Sequence, residues 1–181
     1  KNNYLEKAMP AIFKTKGLII DLRGYPAESV VYTLGKYLIP ESKPFAKYTR
    51  SSLAKPGLFI FSEKKMIGGE GRKHYKGKVV VLVNEFTQGS AEYHAMALQV
   101  VPRVTLVGST TAGANGNLSD VYLPGGIRTL ISGVGIYYPD GSETQRIGIV
   151  PHITVHPTIK GITEGRDELL EKAIEITGNK K

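Results

Sequence analysis

The 181-residue chain contains no cysteine and no tryptophan, only three methionines and four histidines, and no long apolar run. Without cysteine there are no disulfides, no thiolate zinc sites and no cysteine nucleophile. No apolar stretch approaches the roughly 20 residues that a membrane helix needs. Of the histidines His74, His94, His152 and His156, none forms a helical His-x-x-x-His pair. His152 and His156 flank a short strand and project well apart, so no metal site is expected. The 24 Lys+Arg exceed 16 Asp+Glu, giving a net charge of +8. These cations are spread from Lys1 to Lys181 and are densest over Lys43–Lys65 and Arg72–Lys78. They form no nucleic-acid reader motif, and the tyrosines and phenylalanines do not alternate with them as a stacking platform would. The charge favours acidic partners modestly. Nucleic acid is not expected as a partner.

What is present reads as one globular α/β domain. Tyr4, Leu5, Ala8, Met9 and Ile12 lie at helical spacing, so the chain opens inside a helix, as a fragment of a longer protein would. Gly17-Leu18-Ile19-Ile20-Asp21-Leu22 is a continuous apolar strand, and Pro26 suits the first position of the next helix, which carries Val30, Val31, Leu34 and Leu38. Residues 40–77 form a long excursion with one strand at Leu58–Phe61. Lys78–Asn84 is the clearest buried strand. A helix over Ala91–Val101 and a strand at Val104–Gly108 follow. Short strands are expected around Leu118–Tyr122, Ile127–Ile131 and Val134–Tyr137, with a turn at Pro139-Asp140-Gly141-Ser142. Thr163 suits the cap of a closing helix over Asp167–Ile176, with Leu169, Leu170, Ala173 and Ile174 inward.

Two segments invite a chemical reading. At Asn84-Glu85-Phe86-Thr87-Gln88-Gly89-Ser90-Ala91-Glu92 a buried strand meets a helix start, where free backbone N–H groups favour negative charge and can polarise a carbonyl. Taken by spacing alone, Ser90 or Thr87 is a helix cap. His94, one turn after Ser90, reads as a partly exposed helix histidine within reach of the Ser90 hydroxyl. The glycine-rich loop Thr110–Asn117 has no lysine after its glycines and leads into a strand, which excludes a phosphate-binding P-loop.

Five segments in order resemble the C-terminal processing (tail-specific) serine peptidases. Lys16-Gly17-Leu18-Ile19-Ile20-Asp21-Leu22-Arg23-Gly24-Tyr25-Pro26 is similar to "KGLILDLRxNPGG", and Lys76–Asn84 with Thr87–Glu92 to the strand, turn and helix that carry the nucleophile. Val107–Gly113 is similar to "VGxxTxG", Asp140-Gly141 with Gly148–Ile153 to "DG…GIxPDI", and Arg166–Ile174 to the last helix. The resemblance implies a Clp protease/crotonase-like α/β fold with a buried, mostly parallel sheet and flanking helices. It implies one catalytic domain over residues 1–181, acting on peptide or protein substrates without metal or organic cofactor. It also implies an exported, periplasmic or extracytoplasmic protein with a PDZ domain upstream.

The departures from the family pattern set the site expectations. The family's nucleophilic Ser stands three residues before the position of Glu92, and here that position is Gly89. Either Ser90 is the nucleophile in a shifted turn, although one residue is a rotation of about 100° on a helix, or the hydroxyl has been lost. The family's lysine base falls at Ala114, and no lysine stands between Lys78 and Lys160. That absence is closer to the tricorn-like branch, which implies a histidine base upstream of Lys1 and a late acid, Glu143 or, nearly as well placed, Asp140. Backbone N–H groups near Ala27 and Ala91 are the implied oxyanion donors. Two rival readings remain: a peptidase-like domain that binds peptide without cutting it, and an acyl-CoA enzyme on the same fold.

Overall fold

The computed structural model describes residues 4–69 and 73–178. Its elements in chain order are α1 (Tyr4–Ile12), β1 (Gly17–Asp21), α2 (Val31–Leu38), β2 (Lys43–Ser51), β3 (Phe59–Phe61), β4 (Lys65–Ile67) and β5 (Lys78–Val83). Then come α3 (Ser90–Gln99), β6 (Val104–Gly108), β7 (Leu118–Leu123), β8 (Ile127–Ser132), β9 (Ile136–Tyr137), β10 (Ile153–Thr154), α4 (Ile159–Thr163) and α5 (Glu168–Gly178). Of the basic residues named above, Lys1, Arg72 and Lys181 lie outside the described residues.

β5 organises the molecule. It pairs in parallel with β1 and β6, and β10 extends the sheet in the order β1-β5-β6-β10. Successive strand residues point to opposite faces. Val79, Val81 and Val83 join a core that includes Val31, Leu34 and Leu38 of α2 and Ala91, Ala95 and Leu98 of α3. Val80 and Leu82 meet Leu169 and Ala173 of α5 on the other face. Helices on both faces are why the strand reads as an unbroken apolar run. At the end of β6 Gly108 has φ +138°, and a side chain there would overlap the Val83 carbonyl oxygen. The chain therefore leaves β6 sharply, into the loop that reaches α3.

A second, antiparallel sheet flanks this core. β2 lies between β3 and β4 on one side and β9 on the other. The excursion over 40–77 thus holds three strands rather than one. β2 escapes sequence reading because its register shifts between Pro44 and Ala46, so that adjacent Phe45 and Ala46 are both buried. Three cations within the nine residues complete the look of a loop. β7 and β8 form an antiparallel hairpin joined to no other strand among the described residues.

Several helix ends differ from expectation. α2 begins at Val31, so Pro26 lies in the preceding loop. Thr163 is the last residue of the short α4, where Thr158 is the cap and accepts the Gly161 N–H at 2.9 Å. Asp167 serves α5, its Oδ1 accepting the Leu170 N–H at 3.0 Å. Leu169 and Ala173 are buried, but Ile174 faces solvent.

Candidate active site

The turn between β5 and α3 is held by its own Thr87 side chain. Thr87 is fully buried. Its hydroxyl donates to the Leu22 carbonyl at 2.9 Å and accepts the Asn84 N–H at 3.0 Å, tying the turn to the end of β1. It is therefore a staple between strand ends and not a helix cap. The N-cap is Gly89, at φ +56° and ψ −116°, and Ser90 is the first helical residue. A side chain at 89 would carry backbone strain of about 1–3 kcal/mol. Space is not the obstacle, because a Cβ would lie 3.4 Å from Tyr25 Cε2, an ordinary contact. A sharp strand-to-helix turn of this kind is where a nucleophile elbow exposes its residue.

The backbone donors at this turn are not equivalent. The Ala91 N–H donates to the Gln88 carbonyl at 3.1 Å. The Ser90 N–H has no acceptor among the described residues, so it is the open donor at the start of α3.

Glu92 locks the turn to the loop after β6. It is fully buried, yet both carboxylate oxygens are satisfied. Oε1 accepts from the Thr111 hydroxyl at 2.5 Å and the Gly113 N–H at 2.7 Å. Oε2 accepts from the Gly89 N–H at 3.1 Å and the Ala114 N–H at 2.9 Å. The Ala112 N–H adds a bond to the Thr87 carbonyl at 3.0 Å. A carboxylate with four donors can remain buried where an unpaired one could not. Sequence reading used Glu92 only as a landmark. The available signal was its place three residues after the N-cap, the acid position of a capping box.

Around this lock lies a cavity of ≈ 690 Å³. Gly89, Ser90 and Tyr93 of α3 form one side, Tyr48, Thr49 and Arg50 of β2 another, and Ala114 to Leu118 a third, with Tyr25 closing over Gly89. Gln145 stiffens the rim by donating from Nε2 to the carbonyls of Asn115 and Val134, at 2.7 and 3.0 Å. Ser90 and Gly89 thus share one cavity with Ala114. Ala27, Asp140 and Glu143 are not among the residues that line it. Ala27 is exposed in the loop before α2. Glu143 is exposed and paired with Arg146 at 2.9 Å. Asp140 is engaged by the N–H and hydroxyl of Ser142 within its own turn, bonds that hold its carboxyl below the usual range.

His94 is buried, not partly exposed. The Val30 N–H, a donor, lies 3.2 Å from Nε2, and the Ser90 carbonyl lies 2.6 Å from Nδ1. Nδ1 must therefore carry the proton and Nε2 must accept. Burial pushes the imidazole below its ordinary value, against the opposing effect of the Ser90 carbonyl. Both ring nitrogens are engaged with backbone, so His94 positions the start of α3 and is not a base for the Ser90 hydroxyl. Among the described residues lining the cavity there is no histidine, lysine or carboxylate.

The parallel sheet with helices on both faces agrees with the comparisons to known proteins. The model of Peptidase family S41 matches residues 1–155, and the chain belongs to that family of serine peptidases. A protein of Chlamydia trachomatis serovar D (strain ATCC VR-885 / DSM 19411 / UW-3/Cx) is 31% identical over 109 residues, 58% of this chain and 18% of that protein. Among solved structures, a candidate peptidase of Parabacteroides merdae ATCC 43184 superposes with a TM-score of 0.83 at 22% identity, over 100% of this chain and 58% of that one. Mature CPAF complexed with lactacystin superposes with a TM-score of 0.76 at 18% identity, over 97% of this chain and 46% of that one. These structures establish the Clp protease/crotonase-like fold expected above. The chain spans 18% to 58% of the length of these proteins.

Proposed function

We propose that the cavity is the peptide-binding cleft of a serine peptidase, and that the whole protein cleaves peptide bonds by acyl transfer there. One observation carries this reading. The cavity opens on the start of α3, where the Ser90 N–H stands free beside the elbow residue Gly89 and Glu92 fixes both against the opposite loop. An extended peptide laid along the cavity would place a carbonyl oxygen against that donor. Ser90 is the hydroxyl available at the helix start, and a histidine from outside this chain would act as its base. With Ser90 as nucleophile, the next N–H, that of Ala91, would join the Ser90 N–H as an oxyanion donor. The Ala91 N–H must then leave the Gln88 carbonyl as the tetrahedral intermediate forms. Glu143 would support the base only after leaving Arg146, and Ala27 would donate only if the loop before α2 moved inward. Membership of the tricorn-like branch, action near C-terminal tails, a PDZ domain upstream and an extracytoplasmic location belong to the same reading and rest on family resemblance.

Gly89 favours a second reading, in which the cleft binds peptide without cutting it. If the nucleophile belongs at 89, the free Ser90 N–H is already the donor that follows it, and only the hydroxyl is missing. Peptide cleavage by the full-length protein, with Ser90→Ala and Gly89→Ser beside it, separates the two. Cleavage abolished by Ser90→Ala establishes Ser90. Cleavage that appears only in Gly89→Ser, with peptide binding in both, establishes the non-cleaving cleft. Cleavage by the native chain that survives Ser90→Ala places the chemistry on another residue and overturns the site.

A further inference from the structure

This inference deepens the peptide reading and rests on it. Arg50 is the sole charged side chain among the described residues that line the cavity. It is exposed on β2 and makes no ion pair or side-chain hydrogen bond among the described residues. A guanidinium among phenols, amides and glycines has no anion of its own. When a peptide lies over it and excludes water, an unpaired cation becomes costly, and a carboxylate partner removes that cost. Its planar fork of donors fits a carboxylate at two points.

The wall beside Arg50 adds neutral phenols and no competing anion. Tyr48 lies two residues earlier on β2 and hence on the same face. Its hydroxyl donates to that of Tyr93 at 2.5 Å, and the Tyr93 hydroxyl lies 2.6 Å from that of Tyr32. Three phenols make two bonds, and since Tyr48 donates to Tyr93, the one uncommitted O–H belongs to Tyr93 or Tyr32. Burial raises the phenols of Tyr48 and Tyr93 above their ordinary value, most strongly Tyr93, so both stay neutral and put no negative charge beside Arg50. The net charge of +8 draws acidic ligands to the molecule as a whole.

We propose that Arg50, with the tyrosine wall beside it, is a carboxylate-recognising subsite of the cleft. It selects peptides that present an acidic side chain or a free C-terminal carboxylate against β2. The test uses the full-length protein and four fluorescent heptapeptides of one apolar sequence, with Glu or Gln at the centre and a free or amidated C-terminus. The expected result is binding at least tenfold tighter for one carboxylate form than for its amide, a preference lost in Arg50→Gln. In Arg50→Glu the preference turns toward a peptide with Lys at that position. A preference for Glu over Gln identifies the side chain as the source, and a preference for the free terminus identifies the chain end. Equal binding of all four peptides by the native protein overturns the subsite and leaves the cleft intact. Equal weakening of all four in Arg50→Gln overturns it too, since the residue would then act on structure. If no peptide binds the native protein, the cleft itself is refuted and the subsite with it.

Discussion

α3 and α5 pack on opposite faces of the same strand, β5, and each starts at a carboxylate that ties the helix to a distant loop. The chemistry of the two ties is different. At α3, Glu92 is fully buried and accepts only from neutral donors, one hydroxyl and three backbone N–H groups. At α5, Asp167 is partly exposed and meets Arg23 through two bonds of 2.8 Å, while Arg23 is shared with Asp21. The first arrangement fixes backbone around a cavity to within a hydrogen-bond length. The second clamps the end of β1 to a helix with ions that water still reaches. A cleft needs the first kind, because a buried acceptor with four donors tolerates little displacement, whereas an exposed ion pair can shift and remain paired.

Breaking the buried tie gives the largest expected effect. Glu92→Ala leaves four donors facing a void, each carrying a desolvation cost of about 1–3 kcal/mol where water does not enter. A loss of at least about 3 kcal/mol is expected, read as a lower urea midpoint. Glu92→Gln keeps the shape but turns an NH2 group toward two N–H donors, and about 2 kcal/mol should be lost. Both variants should also weaken peptide binding, because Gly89 and Ala114 lose their common anchor. A loss below about 1 kcal/mol for the alanine variant would mean that water replaces the carboxylate and that the comparison fails.

The ionic tie should break more gently and with a pH signature. Hydrogen bonds from Arg23 lower the carboxyls of Asp167 and Asp21 from their ordinary value near 3.8, against the opposing effect of burial. A carboxyl depressed by folding stabilises the native state above its unfolded value and loses that contribution as pH falls through the folded one. Asp167→Asn should therefore cost about 1 kcal/mol at neutral pH, after allowance for solvent screening. The gap between variant and native protein should close below about pH 4. Asn keeps an Oδ1 to accept the Leu170 N–H, so a gap that stays constant from pH 7 to pH 3 would assign the cost to the altered hydrogen-bond geometry toward Arg23 instead of the charge.

The two ties also mark how far the sequence could be read. The valines of β5 expose the sheet at once, since a strand covered on both faces must be apolar throughout. The glycine at the elbow is equally plain, because the family pattern places Ser there. Glu92 was visible as a residue and invisible as a lock, because three of its four donors come from residues 111–114, and no local pattern states that a loop after the next strand will fold back. Thr163 is a more visible cap signal than Asp167, since α4, the short helix that ends at Thr163, carries almost no periodicity. β2 was hidden by its bulge. The late acid illustrates the same limit: Glu143 follows a clear turn signal, yet its side chain goes to Arg146, a choice made by the fold of that turn rather than by spacing.

The smallest effect sharpens the contrast within α5 itself. Arg166 stands one residue before Asp167, and its guanidinium meets Glu171 at 2.5 Å with both side chains about half exposed, 46% each. If closeness to a helix start were what made a charge matter, Arg166→Ala should cost as much as Asp167→Asn. If access of water decides, it should leave the urea midpoint unchanged, because an exposed pair gains little over two hydrated ions and must immobilise two flexible chains. We expect no resolvable change, at low salt or at high. A cost equal to that of Asp167→Asn would show that the α5 start responds to net charge in its neighbourhood. Access of water would then not be what separates Asp167 from Arg166.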